Sequence, residues 1–207
     1  MKRIDYCKII ESGKIPDRTE KARLILGKYG LIGDYRSSFF SELLHNTIRD
    51  KIRGVEIGVD HGRFLFPLAN RLGTKLDIMY GVDPYFPFPS FRPHWNKIYW
   101  DNLYYGVLQT ANLVGENVII VRMTSEDAAC ILPDDFNFVY IDAKHDYYGV
   151  LTDISLWEEK MVHGGIISGH DYISKERYKD VGIAVRHYAE HMGRELQTYK
   201  GNWYWEV

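Results

Sequence analysis

Apolar positions along the chain alternate between short β-branched runs and longer windows with helical spacing. Residues 1–50 read as helices joined by turns. Residues 22–26 form one candidate, and 38–48 another, because Phe39, Phe40, Leu43, Leu44 and Ile48 are spaced for one face. A first strand is expected over about 54–58, followed by a helix through Phe64, Leu65 and Leu68. Residues 76–82 predict a second strand ending at Asp83. Trp100, Leu103, Tyr104, Val107, Leu108 and Ala111 keep the i, i+3, i+4, i+7 spacing of a helix. Strands follow at 118–123 and 138–141. A helix over 147–161 buries Val150, Leu151, Ile154 and Trp157, and 165–168 predicts a fifth strand.

The C-terminal pattern is different. A helix carrying Val181, Ala184, Val185, Tyr188 and Met192 leads into two extended runs around Gly201 and Asn202, which read as a β-hairpin. Strands alternating with helices imply parallel pairing. The expected fold class is therefore α/β: a Rossmann-like doubly wound sheet, mostly parallel, ending in an antiparallel C-terminal β-hairpin. No repeat or linker divides the chain. One domain over 1–207 is expected, with a helical N-terminal extension (1–50) and a core (51–207).

Composition narrows the function classes. A length of 207 residues suits one core, and 45% hydrophobic with 26% charged residues is ordinary for a globular protein. A net charge of -2 provides no electrostatic case for nucleic acid or an anionic membrane. Two cysteines, Cys7 and Cys130, are too few for a disulfide framework and suit a reducing compartment. The basic start runs into charged residues with no apolar stretch, and no run approaches the length of a membrane span. A cytoplasmic protein is expected, and a homo-oligomer stays open.

Four segments carry chemistry. In Val55-Glu56-Ile57-Gly58-Val59-Asp60-His61-Gly62 a strand enters a glycine turn that opens a helix. Such a turn also needs glycine for steric reasons, but Glu56 and Asp60 would repel a phosphate and fit better beside a cationic ligand. Asp83, at the end of the second strand, stands where ribose hydroxyls are gripped in nucleotide-binding sheets, or caps a turn. Thr124, Ser125 and Glu126 open a helix, where a cap and an adenine contact are compatible. The fourth segment delivers Asp142 from a buried strand, with His145 just beyond it. The next strand then delivers His170 and Asp171 to the same rim. Two carboxylates and a histidine there can hold a divalent cation, although capping and a structural histidine are the plainer readings.

Together these segments resemble the S-adenosylmethionine-dependent methyltransferase superfamily. Within it they are most similar to the metal-dependent sugar O-methyltransferases of the macrocin O-methyltransferase and cephalosporin hydroxylase type, over about residues 53–172. The resemblance implies that Glu56, Gly58 and Gly62 form the loop for S-adenosyl-L-methionine, and Asp60 is expected beside them for its charge. It implies that Asp83 binds the ribose and that Ser125 and Glu126 lie on the adenine side. Asp142, His170 and Asp171 would hold Mg²⁺ or Mn²⁺, and His145 would be the general base. His170 stands where the family has an acid, a change that moves preference toward an ion accepting imidazole.

The implied activity is transfer of a methyl group to a sugar or glycoside hydroxyl, with a small-molecule or glycan acceptor. A catechol-type O-methyltransferase is the alternative with a phenolic acceptor. A nicotinamide-dependent oxidoreductase or a non-catalytic nucleotide-binding module is the alternative of another class, and Glu56 with the terminal hairpin argues against the oxidoreductase. The aromatic segment 85–95 reads as a lid over the acceptor or a packed loop.

Overall fold

The computed structural model describes residues 35–86, 96–172 and 178–207. The helix expected at 22–26, Cys7 and most of the aromatic segment lie outside them. In chain order the elements are α1 (Tyr35–Thr47), β1 (Ile52–Ile57), α2 (Leu65–Leu72), β2 (Leu76–Val82), α3 (Lys97–Val114), β3 (Val118–Val121), α4 (Ser125–Ile131), β4 (Phe136–Ile141), α5 (Tyr147–Glu158), β5 (Met161–Gly169), α6 (Lys179–Met192), β6 (Gln197–Tyr199) and β7 (Asn202–Glu206).

The strands form one seven-stranded sheet in the order β3-β2-β1-β4-β5-β7-β6. β1 to β5 run parallel, whereas β7 is antiparallel to β5 and β6 antiparallel to β7. This is the expected α/β class with its C-terminal hairpin. Central strands are buried on both faces, so β4 reads as an unbroken buried run. Its side chains alternate: Phe138 and Tyr140 join the core beneath α1, α2 and α3, whereas Val139 and Ile141 join the core beneath α5 and α6.

The hairpin turn sits one residue earlier than expected. Its two loop residues are Lys200 and Gly201, with φ of 47° and 83°, and Asn202 already pairs with Tyr199. A two-residue turn of this kind needs positive φ at both positions. Asn202 is instead buried: its amide donates to the Tyr199 carbonyl and its Oδ1 accepts from the Tyr140 hydroxyl, each at 2.8 Å.

Register places the chemistry. Ile57 pairs with Val82 on one side and Ile141 on the other, and Ile141 pairs with Gly169. The C-terminal ends of β1, β2, β4 and β5 are therefore level, so Gly58, Asp83, Asp142 and His170 leave the sheet along one rim. Between β1 and β4 the strand order reverses, which is where open α/β sheets form their crevice.

Candidate active site

The turn after β1 is tightly determined. Gly58 has φ of 90°, and a Cβ there would lie 2.2 Å from the Asp142 carbonyl oxygen. Glycine at this position therefore lets β1 and β4 close on each other, quite apart from any ligand. A Cβ at Gly62 would lie 2.2 Å from the Phe66 ring, so packing explains that glycine too. Expectation for this loop rests on its acids. Glu56 is 2% exposed, and its charge acts on the buried Tyr140 hydroxyl. Asp60 takes φ of 49°, a conformation costly for a residue with a side chain. Its Oδ2 lies 2.8 Å from Nδ1 of the buried His61.

Asp83 ties this loop to the next one. Its Oδ2 accepts from the Asp60 amide and its Oδ1 from the Tyr85 amide, both at 2.9 Å. The turn-capping role is thus observed. Arg122, which the sequence reading missed, braces the same turn: its Nη2 donates to the Tyr85 carbonyl at 2.8 Å and to Asp101 Oδ1 at 2.5 Å.

At the start of α4 the duties are divided. Thr124 caps the helix, accepting from the Asp127 amide at 3.1 Å. Ser125 is buried and accepts from Trp157 Nε1 at 2.8 Å. Glu126 pairs with Lys144 at 2.5 Å, and that hydrogen bond holds its carboxyl below the ordinary value. Beneath them Asp153 is fully buried, and among the described residues neither of its oxygens meets a donor in hydrogen-bonding geometry. Burial pushes its carboxyl up to about 6, with the neighbouring Ser125 hydroxyl opposing.

The second half of the rim brings together all four residues expected there. Asp142, His170 and Asp171 each offer one ligand atom, and these atoms lie within 4.8 Å of one another. One ion bound at about 2.0–2.6 Å from each donor is compatible with that spacing. The donor set, two hard carboxylate oxygens and one imidazole, suits Mn²⁺ better than Mg²⁺. Asp171 has φ of 57°, so strained aspartates stand at both loops of the rim.

His145 lies between the two acids. Its Nε2 is 3.0 Å from Asp171 Oδ2 and 3.8 Å from Asp142 Oδ1, and its ring packs on Tyr178 at 4.6 Å. Burial works to lower its pKa, but the two carboxylates outweigh it and raise the value to about 9. Burial likewise pushes the Asp171 carboxyl up, and His145 with His170 overcome it, holding Asp171 well below the usual range. Arg36, at the first turn of α1, donates from Nη1 to Asp142 Oδ2 at 3.0 Å. Sequence reasoning missed it too. Its one signal was a cation in the first turn of a helix, where the helix dipole disfavours positive charge.

A sheet of this strand order, with an acid-bearing turn after β1, an acid after β2 and a carboxylate–histidine rim at β4 and β5, defines a methyltransferase of the S-adenosylmethionine-dependent class. Residues 55–172, more than half of the chain, match the family model described as "Methyltransferase domain" (Methyltransf_24), and the chain belongs to that family. No curated protein sequence matches it.

Solved structures share the fold. The O-methyltransferase NovP is 17% identical with a TM-score of 0.65, covering 84% of this chain and 80% of its own. The apo structure of CalS11, a TDP-rhamnose 3'-O-methyltransferase of calicheamicin biosynthesis, is 16% identical with a TM-score of 0.55, covering 97% and 91%. An O-methyltransferase from Bacillus cereus in complex with SAH is 14% identical with a TM-score of 0.58, covering 97% and 96%. Among the described residues no helix is long and apolar enough to cross a membrane.

Proposed function

We propose that the chain transfers the methyl group of S-adenosyl-L-methionine to a hydroxyl of a sugar or glycoside, assisted by a divalent ion. The observation that carries this reading is the convergence of Asp142, His145, His170 and Asp171 on one rim, level with the acidic turn after β1. Likeness to NovP and CalS11, both O-methyltransferases, favours an oxygen acceptor, and CalS11, a TDP-rhamnose enzyme, favours a sugar.

On this reading Glu56, Gly58, Asp60 and Gly62 line the donor's amino-acid and sulfonium end. The acids suit its positive charge, and the glycines keep the turn tight. Asp83 grips the ribose. Ser125 and Glu126 border the adenine. Asp142, His170 and Asp171 would hold the ion, which when bound would supply Lewis acidity.

In the reaction the S–CH₃ bond breaks as an O–CH₃ bond forms. The electron pair returns to sulfur, and the hydroxyl proton passes to His145. His145 with its pKa at about 9 holds a proton at neutral pH and is a poor base. Asp142 and Asp171 raise this pKa, so with their charges balanced the imidazole would serve as the acceptor. Tyr178, packed on its ring, fixes the imidazole plane.

The test is methyl transfer from a labelled donor to sugar nucleotides, glycosides and catechols, each with Mg²⁺ or Mn²⁺. The reading expects label in a sugar or glycoside acceptor. Label in catechols alone replaces that acceptor class.

A further inference from the structure

Arg36 has no place in the machinery above, yet it contacts the residue at its centre. Its side chain is 14% exposed, so the 3.0 Å pair with Asp142 is largely withdrawn from water. The guanidinium also lies 5.6 Å from the centre of the Phe64 ring, just before α2, and its charge acts on the Tyr140 hydroxyl. It therefore bridges the donor-loop side of the crevice and the acidic rim. The two oxygens of Asp142 are divided: Oδ2 receives Arg36, whereas Oδ1 faces His145 and His170 at 3.8 and 3.9 Å.

We propose that Arg36, paired with Asp142 Oδ2, sets how tightly the rim holds a divalent ion on the Oδ1 side. The inference rests on the metal reading above. A guanidinium beside the shared carboxylate repels a divalent cation, and partial burial leaves that repulsion weakly screened. The Arg36 hydrogen bond also steers Asp142, an effect of opposite sign, since losing it would loosen the ion. Repulsion of a double charge at this range outweighs the steering of one carboxylate, so removing the arginine's charge tightens binding.

The arrangement has a structural consequence. α1 is anchored by Phe40 and Leu44, both fully buried, and Tyr35 donates to the Lys200 carbonyl at 3.0 Å. Arg36 is thus carried by a fixed element.

Calorimetric titration of the full chain with Mn²⁺, without donor, tests this in wild type, Arg36→Met and Arg36→Lys. The expected result is binding roughly tenfold or more tighter in Arg36→Met, and Arg36→Lys close to wild type because it keeps the charge. Circular dichroism checks folding, and Arg36→Gln replaces the methionine variant if that one does not fold. Unchanged or weaker binding in the neutral variant overturns the inference, as does equal tightening in Arg36→Lys. Those results leave the metal reading standing, because the wild type binds. Absence of Mn²⁺ binding in wild type and all variants overturns both.

Discussion

His145 Nε2 lies 3.0 Å from Asp171 Oδ2, so an imidazole from the loop after β4 is held by a carboxylate from the end of β5. That pairing orients the ring toward the place where Asp142 and His170 also converge. Replacing His145 by alanine should lower turnover about 10²- to 10⁴-fold, the usual contribution of a positioned base, while S-adenosylhomocysteine still binds. Steady-state kinetics with parallel calorimetry checks both halves. Unchanged turnover would remove the residue from the chemistry.

Gly58→Ala should be costly. The new Cβ meets the Asp142 carbonyl at 2.2 Å and the backbone has φ of 90°, so neither space nor conformation admits it. A loss of at least about 2 kcal/mol in urea unfolding is expected, together with weaker Mn²⁺ binding because Asp142 must shift. A stability equal to wild type would show that β1 and β4 separate easily here.

Asp83→Ala leaves the Asp60 and Tyr85 amides without their acceptor. Stability should fall by about 1–3 kcal/mol, and S-adenosylhomocysteine affinity by roughly tenfold or more, since the same carboxylate is read as the ribose ligand. If stability falls and affinity does not, Asp83 is a turn cap alone.

Asp153 makes a pH-dependent prediction. Its folded pKa, about 6, is above the ordinary 3.8, so the folded state binds the proton more tightly than the unfolded chain does. Its contribution is fully present below about pH 4 and is lost as pH rises through about 6. Relative to wild type, Asp153→Asn should therefore gain about 1–3 kcal/mol between pH 4 and pH 7. Urea unfolding at the two pH values reads this directly. A difference between the two proteins that does not change with pH would mean the buried carboxyl titrates normally.

Much of this was legible in the sequence, for reasons particular residues make clear. β2 was expected with the ends it has, because an apolar run stops sharply at Asp83. β5 begins at Met161, earlier than expected, because its first residues are partly or fully exposed and Gly164 interrupts the apolar pattern. The start of α2 is later than the apolar spacing suggested, since the turn from Gly58 to Phe64 is fixed by Asp83 and by packing rather than by periodicity. The rim acids and histidines could be found because each follows a buried strand. Arg36 reaches Asp142 from a helix 106 residues earlier, and Arg122 and Tyr178 act through contacts with other elements, which local spacing does not encode. Cys130 lies exposed on α4.

The central claim is that Asp142, His170 and Asp171 hold an ion the methyl transfer needs. It is tested most directly by measuring transfer from labelled S-adenosyl-L-methionine to the accepted sugar or glycoside after EDTA treatment, with and without added Mn²⁺. Activity should disappear with EDTA and return with Mn²⁺ in wild type, and should not return in Asp171→Asn. Full turnover in EDTA would contradict the account.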